Sequence, residues 1–328
     1  MTSESDVEVR AAPSGAPGGQ QQDSDILAKS YRYLRTAMVG LLVCLAAAVV
    51  YQSWRQGDLL GSVSAYYYTP AQAIFVGALI GLAACMIALK GTTPVEDVFL
   101  NLGGVFAAVV AIVPTARDAD YQAAVRACQE ADTPLLTEKA STGLDCPTVQ
   151  ALADATRANV ENNLSALLVV GALALLAALL FALRDGTLNR RADGRNFLLG
   201  FGVASVLWLA GLIARLTALQ WFVDHAHFLA AAGLFLCILV VAVANARRVE
   251  RKQSGDASRL RQSMDAVGEL ASVIRRHDRY IWIARIMLLV AAGSAVLMFF
   301  DLITLFWLEI AVAALFVAFW TAQTLEVE

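Results

Sequence analysis

Two apolar runs, Ala71–Leu89 and Val98–Val113, are separated only by Lys90–Asp97 (KGTTPVED). Nothing else in the chain constrains its fold as strongly. Each run is long enough, or nearly so, to cross the hydrocarbon of a bilayer as a helix. In lipid a segment has to satisfy its own backbone hydrogen bonds, so a helical hairpin is the solution available to such a pair. An aromatic and polar stretch, Ser62–Pro70 (SVSAYYYTP), precedes the hairpin, and Pro114-Thr115 closes it.

Further runs of the same kind follow, so the expected fold is an all-α polytopic bundle. The chain is 58% hydrophobic and only 16% charged, whereas soluble domains are about a quarter charged. The apolar excess sits in blocks. The spacing predicts about eight spans, near 36–54, 71–89, 98–115, 164–183, 197–217, 226–245, 280–299 and 303–323. They group as a six-span body over 25–245 and a C-terminal hairpin over 280–328. Residues 1–24 read as a disordered tail, with too little apolar side chain to offset ordering entropy. Residues 25–35 read as an interfacial lead-in helix. No basic stretch runs directly into an apolar one at the start, so the first span is expected to be an uncleaved anchor. The net charge of −3 supplies no global field for nucleic acid.

The connecting loops set the orientation. Lys29, Arg32 and Arg35, Lys90, Arg184–Arg195 and the connector 246–279 fall on one side of an eight-span chain. The acidic loop 116–163 falls on the other. The positive-inside rule then puts both termini in the cytoplasm and the long loop outside the cell membrane. That loop carries Cys128 and Cys146, where an oxidising compartment permits a disulfide, worth about 3 kcal/mol on the chain-entropy estimate. The connector has Leu260, Met264, Val267, Leu270 and Ile274 at helical spacing, an amphipathic surface helix. Arg247–Arg279 can meet anionic lipid headgroups, although positive-inside topology alone accounts for these arginines.

Three sets of residues carry candidate chemistry. Arg215, Asp224, His225, His227 and the tyrosines around Tyr67 gather near the ends of spans. Asp224 and His227 are three apart, on one helix face, and a histidine oriented by a carboxylate can act as a base or ligand. The simpler reading has Asp224 capping its helix or pairing with Arg215. With only three histidines, and His277 expected on the opposite side, a three-histidine zinc site is not expected, nor is any cofactor. Glu309 lies inside the last span, where a carboxylate is a functional hypothesis by default; Arg215 is its candidate partner. Glu96-Asp97 reads as helix-start chemistry, with a cation or partner site as the alternative. Two small-residue stripes, Gly77/Gly81/Cys85 and Asn101/Gly104/Ala108/Ala111, are expected to pack on each other, with Asn101 bonding across helices.

The segments SAYYYTPAQAIFVGALIG, ED…NLGG…VPT, DHAHFLAA and FWLE…FW…QT.E together resemble a family of uncharacterised bacterial multi-pass membrane proteins, chiefly actinobacterial. The resemblance covers most of residues 30–325. It implies an α-helical integral membrane protein and carries no catalytic residues with it. The expected function is a binding, scaffold or sensor protein with a site facing outward. The alternatives are a transporter of a small or amphiphilic solute with Glu309 as its coupling group, and a lipid-acting enzyme using Asp224 and His227. The spans lack the paired Gly/Pro-broken helices of many transporters.

Overall fold

The computed structural model describes residues 17–91, 93–115, 117, 119–130, 145–187, 191–260, 282–283, 285–290, 293 and 304–325. Among these, regular structure is entirely helical. The helices are α1 (Pro17–Gln56), α2 (Gln72–Ala88), α3 (Pro94–Ile112), α4 (Ala119–Glu130), α5 (Cys146–Arg184), α6 (Arg191–Thr217), α7 (Leu219–Leu260) and α8 (Leu305–Leu325). A short 3-10 turn, Ser64–Tyr68, lies between α1 and α2.

Six of the helices are long and apolar enough to cross a membrane: Ile26–Gln56, Pro94–Ile112, Cys146–Arg184, Phe197–Thr217, Leu219–Asn245 and Leu305–Leu325. Gln72–Ala88 is apolar but shorter. The expected seventh span, 280–299, is represented by helical fragments over 282–283 and 285–290, and the amphipathic helix over 260–274 lies largely outside the described residues. Large apolar side chains such as Leu173, Phe181 and Val206 point outward with more than half their surface exposed. A continuous apolar exterior of this kind is unfavourable in water and suited to lipid.

The core is built on α3. Half of its apolar window is buried, against 6% for α6, and it touches α2, α5, α6 and α7. Its small residues explain this, because Gly103, Gly104, Ala107, Ala108 and Ala111 let neighbours approach closely. A Cβ on Gly104 would sit 2.8 Å from the Ala83 carbonyl of α2, and one on Gly103 would meet Met86 and Cys237. α7 runs antiparallel along α3, with Gly233 under the Phe106 ring. The helix starts by a local rule: the Thr93 hydroxyl accepts from the Glu96 N–H and Pro94 occupies the first turn.

Several expected boundaries move. α1 is helical from Pro17, so 17–24 is not a coil and the lead-in 25–35 is continuous with the first span. The expected loop helix over 147–162 and the fourth span are one helix, α5. No Gly or Pro falls between Pro147 and Gly171 to stop it, and the change of polarity alters the surroundings without breaking the hydrogen-bond ladder. Asp145 caps this helix through Thr148 N–H at 3.0 Å. Ala218 alone separates α6 from α7, and α7 begins at 219 rather than 226.

The two small-residue stripes do not meet as expected. Gly81 faces Leu41 of α1, and among the described residues no atom lies within 4 Å of where a Cβ on Gly77 would sit. The α2 face on α3 is that of Ala83, Met86 and Ile87, about 200° round the helix from Gly81 at 100° per residue. Asn101 does not bond across helices either. Its Nδ2 donates to the Asp97 carbonyl one turn back, at 2.9 Å, which satisfies it locally.

Candidate functional site

The turn before α2 is set by its hydroxyl residues. Ser62 Oγ accepts from the Ala65 N–H at 3.0 Å, and Thr69 Oγ1 donates to the Tyr66 carbonyl at 2.8 Å. Thr69 precedes Pro70 and is extended, as proline demands of its predecessor. The turn stays one helical unit long and holds Ser64 toward the bundle, 4% exposed. α1 ends at Gln56, and Gly57 after it takes a φ of +76°, a left-handed conformation that glycine adopts without steric cost.

α8 docks on this turn. The Phe306 N–H donates to the Gly61 carbonyl at 2.8 Å. One turn into the helix, Glu309 accepts from the Val63 N–H at Oε2, 2.5 Å, and from the Ser64 hydroxyl at Oε1, 2.8 Å, and the Ser64 backbone also bonds its carboxylate. The other side of Ser64 Oγ meets His227 Nε2 of α7 at 2.8 Å, and His227 Nδ1 meets the Val113 carbonyl at the end of α3 at 2.5 Å. Ser64 and His227 are buried, while Glu309 is only partly so. One polar chain, carboxylate–hydroxyl–imidazole–carbonyl, therefore joins α8, the 3-10 turn, α7 and α3.

The remaining candidates lie elsewhere. Arg215 pairs with neither Glu309 nor Asp224. Its guanidinium bonds Glu161 Oε1 of α5 at 2.5 Å and Ser165 Oγ at 3.1 Å. Glu161 lies in the part of α5 expected to be loop, which is why the partner was not evident. Asp224 neither caps α7 nor orients His227. It is exposed and accepts from Gln220 Nε2 at 3.1 Å. His225 stacks on Trp221 and donates to its carbonyl. Tyr67 is a packing residue, 6% exposed, with its ring edge-on to Tyr68 and Phe75. Tyr66 OH bonds Ser53 Oγ. Tyr68 OH donates to the Thr115 carbonyl at 2.8 Å, under the Arg117 guanidinium 4.0 Å from its ring. Burial pushes the Tyr68 phenol up to about 12, and the nearby Arg117 charge only partly offsets this.

At the opposite end of the α3/α7 seam, Glu96 is 3% exposed and accepts from Asn245 Nδ2 at 2.9 Å. Glu96 thus does more than start a helix: it clamps α3 to α7. Cys128 of α4 and Cys146 of α5 have Cα atoms 5.6 Å apart, within the span of a disulfide. Among the described residues no three His, Cys, Asp or Glu side chains converge to hold a metal.

Ser64, Glu161, Asn245 and the Val113 carbonyl were not anticipated. Asn245 had a signal, as a lone amide at the end of an apolar run. Ser64 had none beyond its place in a polar rim. No family model matches the chain, and neither the curated proteins nor the solved structures contain a match.

Proposed function

We propose that this chain is an eight-span integral protein of the cell membrane, of binding or sensor type, with the Glu309–Ser64–His227 junction as its functional site. Both termini lie in the cytoplasm in this reading. The 116–163 loop lies outside, closed by Cys128–Cys146, and the basic connector contacts anionic headgroups. The protein belongs, on this reading, with the bacterial multi-pass family its motifs resemble. Six long apolar helices, an apolar exterior and the distribution of Lys and Arg support it.

The observation that carries the choice of site is that three polar side chains remote in sequence, 64, 227 and 309, bond in series at one place. The observation that favours sensing over conduction is where the series ends. The Val113 carbonyl accepts the Nδ1 proton and has no proton of its own to pass on, so the chain is closed at that end. Transport remains the second reading because Glu309 is partly exposed within an apolar helix. The enzyme reading loses its basis, since Asp224 and His227 do not pair. Ser64 and His227 do, but the carboxylate lies on the hydroxyl rather than on the imidazole, the reverse of a nucleophilic triad.

Purified protein in liposomes tests the choice. Sensing predicts that a pH gradient across the vesicles decays no faster than in empty liposomes. A flux that Glu309→Gln abolishes would replace this reading with transport. Reporter fusions at residues 139 and 188 test the sidedness, with the periplasm-dependent enzyme expected to be active only at 139.

A further inference from the structure

We infer that the junction is a binding site for a single proton, held between Glu309 and His227 and exchanged through Ser64 without movement of heavy atoms. The inference rests on counting hydrogens and holds whether the protein senses, binds or transports.

The count begins at Val113. A carbonyl oxygen only accepts, so the hydrogen on the line between it and His227 Nδ1 belongs to the imidazole. That fixes the tautomer and leaves His227 Nε2, Ser64 Oγ and Glu309 Oε1 in a row, each 2.8 Å from the next. Two arrangements satisfy every atom of this row. In one, Nε2–H donates to Ser64 Oγ and the Ser64 O–H donates to an ionised Glu309. In the other, a protonated Glu309 donates to Ser64 Oγ and the Ser64 O–H donates to a neutral Nε2. Both carry one mobile proton and no net charge. They interconvert when the Glu309 O–H bond breaks as its proton bonds to Ser64 Oγ, while the proton already on Ser64 leaves for Nε2. Val63 N–H bonds Oε2 in either arrangement.

With no mobile proton, the single Ser64 hydrogen cannot serve both Nε2 and the carboxylate, so one of them loses its partner in the row. With two, both neighbours donate to Ser64 Oγ, its own hydrogen has no acceptor in the row, and a net positive charge is buried. Each departure removes a hydrogen bond from the row, and where the loss falls on Nε2 or on the Ser64 hydroxyl it leaves a buried polar atom unpaired. The row therefore selects for one proton. Glu309, the partly exposed member, is where that proton enters or leaves, and His227 is the closed end.

Among the described residues, the other titratable groups of these elements are engaged elsewhere or exposed. Tyr66 and Tyr68 bond Ser53 and Thr115, and Tyr67 packs on Phe75. Asp224 and His225 are exposed on α7, Arg117 lies over Tyr68, and Arg55 and Asp58 are exposed near the end of α1. Glu309 is the one ionisable residue between Leu305 and Leu325.

The test combines nitrogen NMR of ¹⁵N-histidine protein in lipid nanodiscs with infrared spectra of ¹³C-carboxyl glutamate, from about pH 5 to pH 8, the range over which a free histidine titrates. The wild type is expected to show Nδ1 of His227 protonated throughout. Protonated Glu309 and doubly protonated His227 are expected to replace each other one for one. Glu309→Gln supplies a permanent N–H donor to Ser64 and is expected to hold His227 neutral across the whole range. Ser64→Thr keeps the hydroxyl and is expected to keep the exchange. Ser64→Ala is expected to abolish it, so that the two groups titrate separately. A wild type with Glu309 ionised and His227 neutral together, or both protonated together, overturns the inference. So does a Glu309→Gln protein whose His227 still becomes doubly protonated. If Ser64→Ala does not fold, Glu309→Gln and Ser64→Thr decide it.

Discussion

α3 and α7 are clamped at both ends, and the two clamps are built differently. At the Glu96 end the Asn245 amide donates to the Glu96 carboxylate across α3 and α7. At the His227 end the imidazole is one link in a row that also holds the 3-10 turn and α8. The first is a local tie whose donor and acceptor have fixed roles. The second contains a hydroxyl, which both donates and accepts, so its hydrogens can be redistributed. Polar bonds between buried helices can thus serve packing alone or packing together with proton binding, and the presence of an amphoteric middle member distinguishes the two.

Substitutions that break one end at a time sharpen this contrast. His227→Leu should have the largest effect. It strips a partner from both Val113 and Ser64, and at about 0.6–1.7 kcal/mol per interhelical bond the loss should reach roughly 2–3 kcal/mol. Thermal denaturation in detergent or nanodiscs measures it. Gly233→Ala tests the seam between the clamps. The new Cβ would lie 2.8 Å from the Phe106 ring, a rigid neighbour, and overpacking of this kind costs about 1–3 kcal/mol; a Phe106→Leu background should recover part of it. Asn245→Leu should cost about 1 kcal/mol in the same assay and leave the His227 signals unchanged, because the clamps are at opposite ends of the helices. A shift in those signals would show the ends to be coupled. Glu309→Gln should have the smallest effect on folding, under about 1 kcal/mol, because the amide still accepts from Val63 and donates to Ser64. Its consequence belongs to the protonation of His227 and not to stability.

Tyr68 supplies a pH-dependent check close to the junction. Its folded value of about 12 lies above the ordinary 10. Its contribution to stability is therefore fully present below about pH 10 and is lost as the pH rises toward 12. In an absorbance titration, the tyrosinate signal missing from Tyr68→Phe should appear above the ordinary tyrosine range, toward pH 12. Arg117→Gln, which removes the one charge that lowers the value, should delay it further.

Much of the architecture was legible in the sequence because it depends on local properties. Apolar runs specify helices whatever lies beside them, and the caps that start α3 and α5, Thr93 and Asp145, act through bonds to their own neighbours. Helices that are apolar on every side do not announce which face meets which partner. Gly81 and Gly104 looked like matching halves of one seam, yet they pack on different helices. Glu309 and His227 could be picked out singly, as a carboxylate inside a span and a histidine near the end of one. Their connection through Ser64 could not, since it depends on how three segments separated by 163 and 245 positions along the chain come together.

Those separations also have a consequence in time. The chain is made at roughly 5–20 residues per second, and Asn245 follows Glu96 by 149 positions. The central helix therefore waits on the order of ten seconds before its α7 partner has been synthesised. Ser64 waits longer still for Glu309, which arrives with the last described helix. A chain stopped before α8 can form the Ser64–His227 bond but not the row that holds a proton. The proton site is therefore completed only after α8 has been made, and its infrared and NMR signatures report that α8 has reached the Ser64 turn.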